Sequence, residues 1–173
     1  MNLWIRFGGA LAIGLAAAPL CAQSTAAMIA DALGAAPPAV AHGATVMGHD
    51  GKVLRKGSNG WTCMPDLPGT PGRDPMCLDQ AGMAWAQAWM GHKNPPPGVG
   101  LAYMLKGGSD PSNLDPYAKG VKGRFVTTGP HVMILSADVA KASGYPAGAN
   151  PDTSKPYVMF PDTPYAHIMM PVR

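Results

Sequence analysis

The sequence contains no glutamate, and all ten of its acidic residues are aspartates. Aspartate favours turns and helix caps, whereas glutamate favours helix interiors, so we expect the acidic groups to lie mainly in loops. Charged residues of either sign are also scarce, at 13% of 173 residues, and the net charge is only +3. That charge is too small and too scattered for a nucleic-acid surface, and no nucleic-acid partner is expected.

No long hydrophobic run follows the first two dozen residues, which excludes a polytopic membrane protein. Hydrophobic residue types nevertheless make up 47% of the chain, which excludes an intrinsically disordered protein. The 22 glycines and 19 prolines predict a fold rich in loops. Together these features indicate a small globular protein.

Residues 1–22 have the pattern of a secretory signal peptide. Arg6 supplies the positive charge, residues 7–20 form the apolar segment, and cleavage is expected after Ala22. Leu20 fits the small-x-small pattern before Ala22 poorly, so cleavage near Ala26 is an alternative. A lipid anchor on Cys21 is disfavoured, because a lipobox requires a small residue directly before the cysteine and Pro19-Leu20 precede it. Residues 23–173 are therefore predicted to form a single periplasmic or secreted domain, monomeric and without a membrane span.

Two cysteines, Cys63 and Cys77, remain after removal of the signal peptide. In an oxidising compartment they are expected to form a disulfide, which would stabilise the fold by about 3 kcal/mol in the chain-entropy description. The segment between them contains four prolines and two glycines. This composition predicts an irregular loop without a helix or central strand.

The hydrophobic pattern predicts an α+β fold, with two helices packed on a mostly antiparallel sheet of five to seven short strands. The helices are expected over residues 25–35 and from the cap at Asp79 to Met90. His49-Asp50-Gly51 is typical of a hairpin turn. Further strands are expected over residues 99–105, 124–128, 131–136, 157–160 and 166–172.

Four segments, over residues 57–77, 102–118, 128–134 and 164–172, resemble a family of uncharacterised secreted bacterial proteins. They read GSNGWTCMPDLPGTPGRDPMC, AYMLKGGSDPSNLDPYA, TGPHVMI and PYAHIMMPV, and the first of them is the most specific. The resemblance covers nearly the whole mature chain. It implies a self-contained exported domain, and it implies nothing about activity or ligand.

Four of the five histidines have a methionine two positions away, at Met47/His49, Met90/His92, His131/Met133 and His167/Met169. Residues two apart on a strand point to the same face, so each imidazole and thioether can approach the other. This ligand combination suits Cu(I), a metal ion that an exported protein can meet in the periplasm. We therefore predict a soft-metal (copper) site formed by His131, Met133, His167 and Met169, because both pairs lie in expected strands.

Other interpretations compete with the copper site. Methionine is a common filler of hydrophobic cores, and a histidine in an apolar strand is often a hydrogen-bonded core residue. Zinc is disfavoured because the chain has no free thiolate pair and no H-E-x-x-H motif. The oxygen-rich segment 107–115 carries enough side-chain oxygens for calcium, but such residues also build turns without an ion.

A small secreted hydrolase is the alternative from another functional class. Its candidate groups are a serine nucleophile, a histidine base and an orienting aspartate: Ser58 or Ser109, His131 or His167, and Asp110 or Asp115. Neither serine lies in a G-x-S-x-G motif, so binding of a small ligand or metal ion is favoured over catalysis. A hydrolase of this kind would require a contact of about 2.6–3.2 Å between the serine and the histidine.

Overall fold

The computed structural model describes residues 23–120 and 124–172, and the predicted signal peptide at residues 1–22 lies outside these ranges. In the described part of the chain, the helices are α1 Thr25–Leu33, α2 Pro38–Ala41, α3 Gln80–Met90 and α4 Ala137–Ala142. The strands are β1 Thr45–Met47, β2 Val53–Arg55, β3 Thr62–Met64, β4 Met76–Leu78, β5 Gly100–Met104, β6 Gly108–Asp110, β7 Val126–Thr128, β8 His131–Leu135, β9 Tyr157–Met159 and β10 His167–Pro171.

Eight of these strands form one mostly antiparallel sheet in the order β2-β1-β3-β4-β5-β8-β10-β9. Within it β1 and β3 pair in parallel. Strands β6 and β7 form a separate two-stranded antiparallel sheet. The predicted α+β class with a mostly antiparallel sheet is thus confirmed, although the described residues form more strands than expected.

Helices α1 and α3 lie where the sequence predicts them, and each begins at a side-chain cap. Ser24 accepts a hydrogen bond from the Ala27 amide at 3.2 Å, and Asp79 accepts one from the Gly82 amide at 2.7 Å. Asp79 also accepts from the Leu101 amide, so one carboxylate joins the start of α3 to β5. The short helices α2 and α4 were not expected; α2 begins at Pro38, a residue type that suits the first turn of a helix.

Helix α3 covers one face of the large sheet, and α1 and α4 pack on the opposite face. On the α3 side, Leu78, Ala102 and Leu135 are buried in the main hydrophobic cluster. On the opposite side, Cys63 and Cys77 pack with Ala32 of α1. The alternation of side chains along each strand therefore places one hydrophobic cluster on the α3 face and two on the other, one at α1 and one at α4.

Cys63 and Cys77 lie directly opposite each other on β3 and β4 and form the expected disulfide. The prediction that the crosslinked segment lacks central strands was wrong at its two ends, where Met64 and Met76 belong to β3 and β4. Cross-strand pairing next to the disulfide holds these two residues extended despite the nearby prolines. The loop between them is held by Asp31 of α1, whose carboxylate accepts from the Asp66 amide and from Arg73.

The backbone groups on the outer edge of β9 form hydrogen bonds with loops. The buried Asn113 donates from Nδ2 to the carbonyl of Val158 at 3.0 Å, and its own carbonyl accepts from the Phe160 amide at 2.8 Å. The Val158 amide donates to the Pro146 carbonyl. Asn113 therefore fixes the last strand of the sheet.

Within residues 23–120 and 124–172, no helix combines the length and the apolar character that a membrane crossing requires.

Candidate functional site

The four residues predicted as a copper site lie on the α3 side of the neighbouring strands β8 and β10. Met133 and Met169 are directly opposite each other. His131 is opposite Pro171, which lies four positions beyond His167 on the same strand. Four residues of strand span about 13 Å, so the two histidines lie far apart along the strands.

The hydrogen bonds of the two imidazoles point in opposite directions along the strands. His131 donates from Nδ1 to the Gly129 carbonyl at 2.7 Å, and His167 donates from Nδ1 to the Tyr165 carbonyl at 2.9 Å. Each carbonyl lies two residues before its histidine, and β8 and β10 run in opposite directions. The rings are therefore held toward opposite ends of the strand pair, and the structure does not bring the four predicted ligands to one point.

His167 is surrounded by aromatic side chains. Its ring centroid lies 5.3 Å from that of Trp85 and 5.5 Å from that of Phe160, both in edge-to-face arrangements. Burial lowers the pKa of His167 to about 4, because the charged imidazolium would lose its hydration. At neutral pH this residue is an uncharged member of the hydrophobic core.

His131 differs because its second ring nitrogen is both buried and without a hydrogen-bond partner in the described residues. The side chain is fully buried, and Nε2 has no hydrogen-bond partner among the described residues. The Gly129 carbonyl can only accept, so the proton lies on Nδ1 and the lone pair of Nε2 is left free. Histidines that bind metal ions commonly donate their other N–H to a carbonyl in this way.

Met104 of β5 is directly opposite His131, and both approach the backbone of Gly108. A Cβ atom placed on Gly108 would lie 3.3 Å from Cε1 of His131 and 3.6 Å from Sδ of Met104. An imidazole and a thioether therefore approach one point beneath β6. Met104 is itself buried, with 6% of its surface exposed.

Two further methionines extend this pair into a row across four adjacent strands, which we call the methionine row: Met64, Met76, Met104 and His131. Met64 pairs with Met76, and Met76 lies one position beyond the pair formed by Cys77 and Tyr103, which aligns it with Met104. Adjacent strands are about 4.8 Å apart. Met64 and Met76 are half-buried, so the row runs from a partly exposed end to a fully buried imidazole.

The carboxylate of Asp74 acts electrostatically on His131 and on a second carboxyl group, that of Asp110. Asp74 is buried and accepts from the Ser109 amide at 2.8 Å. Burial raises the pKa of the partly exposed Asp110 to about 7, and the charge of Asp74 adds to this effect. The pKa of His131 is lowered by burial, an effect that the Gly129 hydrogen bond and the charge of Asp74 oppose.

Carboxylates do not assemble into a conventional metal site in the part of the chain that the structure describes. No group of three or more His, Cys or Asp side chains there is arranged to hold an ion. In segment 107–115, Ser112 accepts from the amides of Leu114 and Asp115, so its oxygen is used in a turn. A metal ion bound near His131 would therefore depend on nitrogen and sulfur ligands.

The serines of the hydrolase alternative do not contact a histidine in the described residues. Ser109 Oγ accepts from the Gly72 amide at 3.1 Å and donates to Asp74. Ser58 is exposed, and its amide donates to the Gly43 carbonyl. The Ser–His contact that this mechanism requires is not formed among these groups.

Asp110→Asn is expected to stabilise the protein at alkaline pH. The folded-state pKa of about 7 lies above the ordinary 3.8, so the stability conferred by the bound proton is lost as the pH rises between these values. The shift corresponds to at most about 4 kcal/mol, and the partial exposure of Asp110 reduces the expected gain in the variant to about 2 kcal/mol at pH 8. Urea denaturation at pH 8 and pH 5 measures this gain, which should fall to less than half at pH 5.

Asp138→Asn, at an exposed position on α4, is the matched control and should show no such pH-dependent gain. Equal stability of Asp110→Asn and the parent protein at pH 8 would contradict the assigned direction of the pKa shift.

No protein-family model, curated protein or solved structure matches this chain.

Proposed function

We propose that this chain is an exported protein that binds Cu(I), with His131 Nε2 and Met104 Sδ as its ligands. The observation that carries the proposal is the free lone pair on a buried, carbonyl-anchored imidazole, directly opposite a buried thioether. The proposal keeps His131 from the ligand set expected from the sequence and replaces the other three residues with Met104. Binding, rather than catalysis, is the proposed activity.

The chemistry of the ligands selects the ion. Thioether and imidazole are the ligands that suit Cu(I), whereas calcium and magnesium require oxygen ligands. Both ligands are neutral, so a bound cation needs a compensating negative charge in this buried environment. Asp74, whose charge acts on His131, supplies this negative charge without being a ligand itself.

Three features support export. The first 22 residues have the pattern of a signal peptide. The Cys63–Cys77 disulfide is typical of proteins that fold in an oxidising compartment. The resemblance to secreted bacterial proteins is consistent with both.

A competition titration tests the proposal. Mature, oxidised protein is titrated without oxygen against a chromophoric Cu(I) chelator, alongside His131→Gln and Met104→Leu. We expect tight binding that weakens by at least about 100-fold in His131→Gln and about tenfold in Met104→Leu, since both variants lose a ligand and a thioether is a weaker donor than an imidazole.

Met169→Leu is the matched control, because Met169 is equally buried on the same face but lies outside the methionine row. Circular dichroism and thermal unfolding confirm that each variant is folded. Equal Cu(I) binding by the parent and both ligand variants would refute the proposal, as would a loss in Met169→Leu as large as that in Met104→Leu.

A further inference from the structure

Met64 and Met76 form the partly exposed end of the methionine row. We propose that these two residues bind a second Cu(I) ion at the surface, and that copper reaches Met104 and His131 through this site. This inference rests on the proposed function, because it assumes that the buried pair is the final Cu(I) site.

The geometry of the pair suits a shared ion. Met64 and Met76 occupy directly opposite positions on β3 and β4, so their Cβ atoms are about 5 Å apart and their flexible side chains can bring both sulfurs to one ion. The disulfide crosslinks the neighbouring positions on the same two strands. It thereby fixes the register that places the two thioethers opposite each other.

Exposure decreases along the row toward the imidazole. Met64 and Met76 are half-buried, Met104 is 6% exposed and His131 is fully buried. An ion arriving from solvent therefore meets the outer thioethers before the inner pair. Gly108 of β6 lies against Met104 and His131, so the backbone closes the inner pair on that side.

Transfer along the row requires ligand exchange alone. The bond from copper to the Met64 sulfur breaks as a bond to the Met104 sulfur forms, with Met76 holding the ion between them. Copper then exchanges Met76 for Nε2 of His131, whose lone pair is already free. The ion remains Cu(I) throughout, and no proton or electron is transferred.

Methionine-methyl NMR tests this second site. The mature protein carries ¹³C-methyl methionine, and it is titrated with Cu(I) in the absence of oxygen and separately with Ag(I), a redox-inert substitute. We expect the Met104 methyl signal to shift during the first equivalent and the Met64 and Met76 signals to shift during the second. The Met133 and Met169 signals should move much less.

The double variant Met64→Leu/Met76→Leu should lose the second equivalent and keep the first, with an affinity within about threefold of the parent protein. Stopped-flow loading of its buried site should be slower by about tenfold. Met133→Leu/Met169→Leu is the matched control and should load at the parent rate, since leucine conserves the volume of methionine.

The possible results separate the two proposals. If the Met64/Met76 variant still takes up two equivalents and loads at the parent rate, the surface site is refuted while the dependence of binding on His131 stands. If the parent protein binds neither Cu(I) nor Ag(I), the proposed function and this inference both fail.

Discussion

Gly100→Ala is expected to destabilise the protein by about 3 kcal/mol, because it forces helix α3 away from the sheet. A Cβ at this position would lie 2.5 Å from the backbone nitrogen and 2.6 Å from Cα of Gly82. Both atoms belong to the backbone of α3, so no side chain can rotate to make room. The new methyl group must therefore separate α3 from β5, where Asp79 joins the two elements by hydrogen bonds.

Urea denaturation of the mature protein measures this effect. Gly129→Ala is the matched control, because no atom lies within 4 Å of a Cβ built there and the position does not require a left-handed backbone. Its stability should stay within about 0.5 kcal/mol of the parent protein, as for most surface substitutions. A Gly100→Ala protein as stable as this control would show that α3 and β5 are not in backbone contact.

Removal of the disulfide by Cys63→Ala/Cys77→Ala is expected to cost about 3 kcal/mol. The crosslink joins residues 14 apart in sequence, and its loss releases a proline-rich loop in the unfolded chain. In the folded state that loop keeps the support of Asp31, which binds the Asp66 amide and Arg73, so the variant should remain folded with a reduced free energy of unfolding.

Chemical denaturation of the oxidised protein and of the double variant measures this difference. Addition of a reductant should destabilise the parent protein by a similar amount and leave the double variant unchanged, which separates loss of the crosslink from loss of the two sulfur atoms. Equal denaturation midpoints for the parent and the double variant would contradict the prediction.

Local sequence signals predicted much of the fold. Helix α3 follows from the cap at Asp79 and the apolar stripe after it, and the β1–β2 hairpin follows from the Asp50-Gly51 turn. Helix α4 has six residues and depends on packing against β8 and β10, which a local pattern does not reveal. The pairing of β1 with β3 also depends on tertiary contacts.

The sequence predicted one of the two proposed Cu(I) ligands, His131, and missed the other, Met104. His131 was identified from its spacing to Met133, and the predicted site required that the strand of His131 neighbour that of His167, as β8 and β10 do. The register between β8 and β10 sets the two histidines four positions apart, and no local pattern encodes that offset. Met104 was missed because its pairing with His131 joins strands that are distant in sequence.

The pairing of Met64 with Met76 could have been found from the sequence. Each methionine adjoins a cysteine of the predicted disulfide. If the two cysteines are paired across adjacent antiparallel strands, the adjoining residues must also pair, on the opposite face. The expectation of an irregular loop between the cysteines concealed this consequence.

The hydrogen bonds around Asn113 also affect the association of protein molecules at high concentration. Strand β9 lies at the edge of the sheet. When the outward N–H and C=O groups of an edge strand are unpaired, a strand of a second molecule can pair with them. Here the outward amides of Val158 and Phe160 already donate to loop carbonyls, and the Val158 carbonyl already accepts from Asn113. An incoming strand would have to displace the protein's own loops, so this edge resists the intermolecular pairing from which amyloid-like aggregates grow.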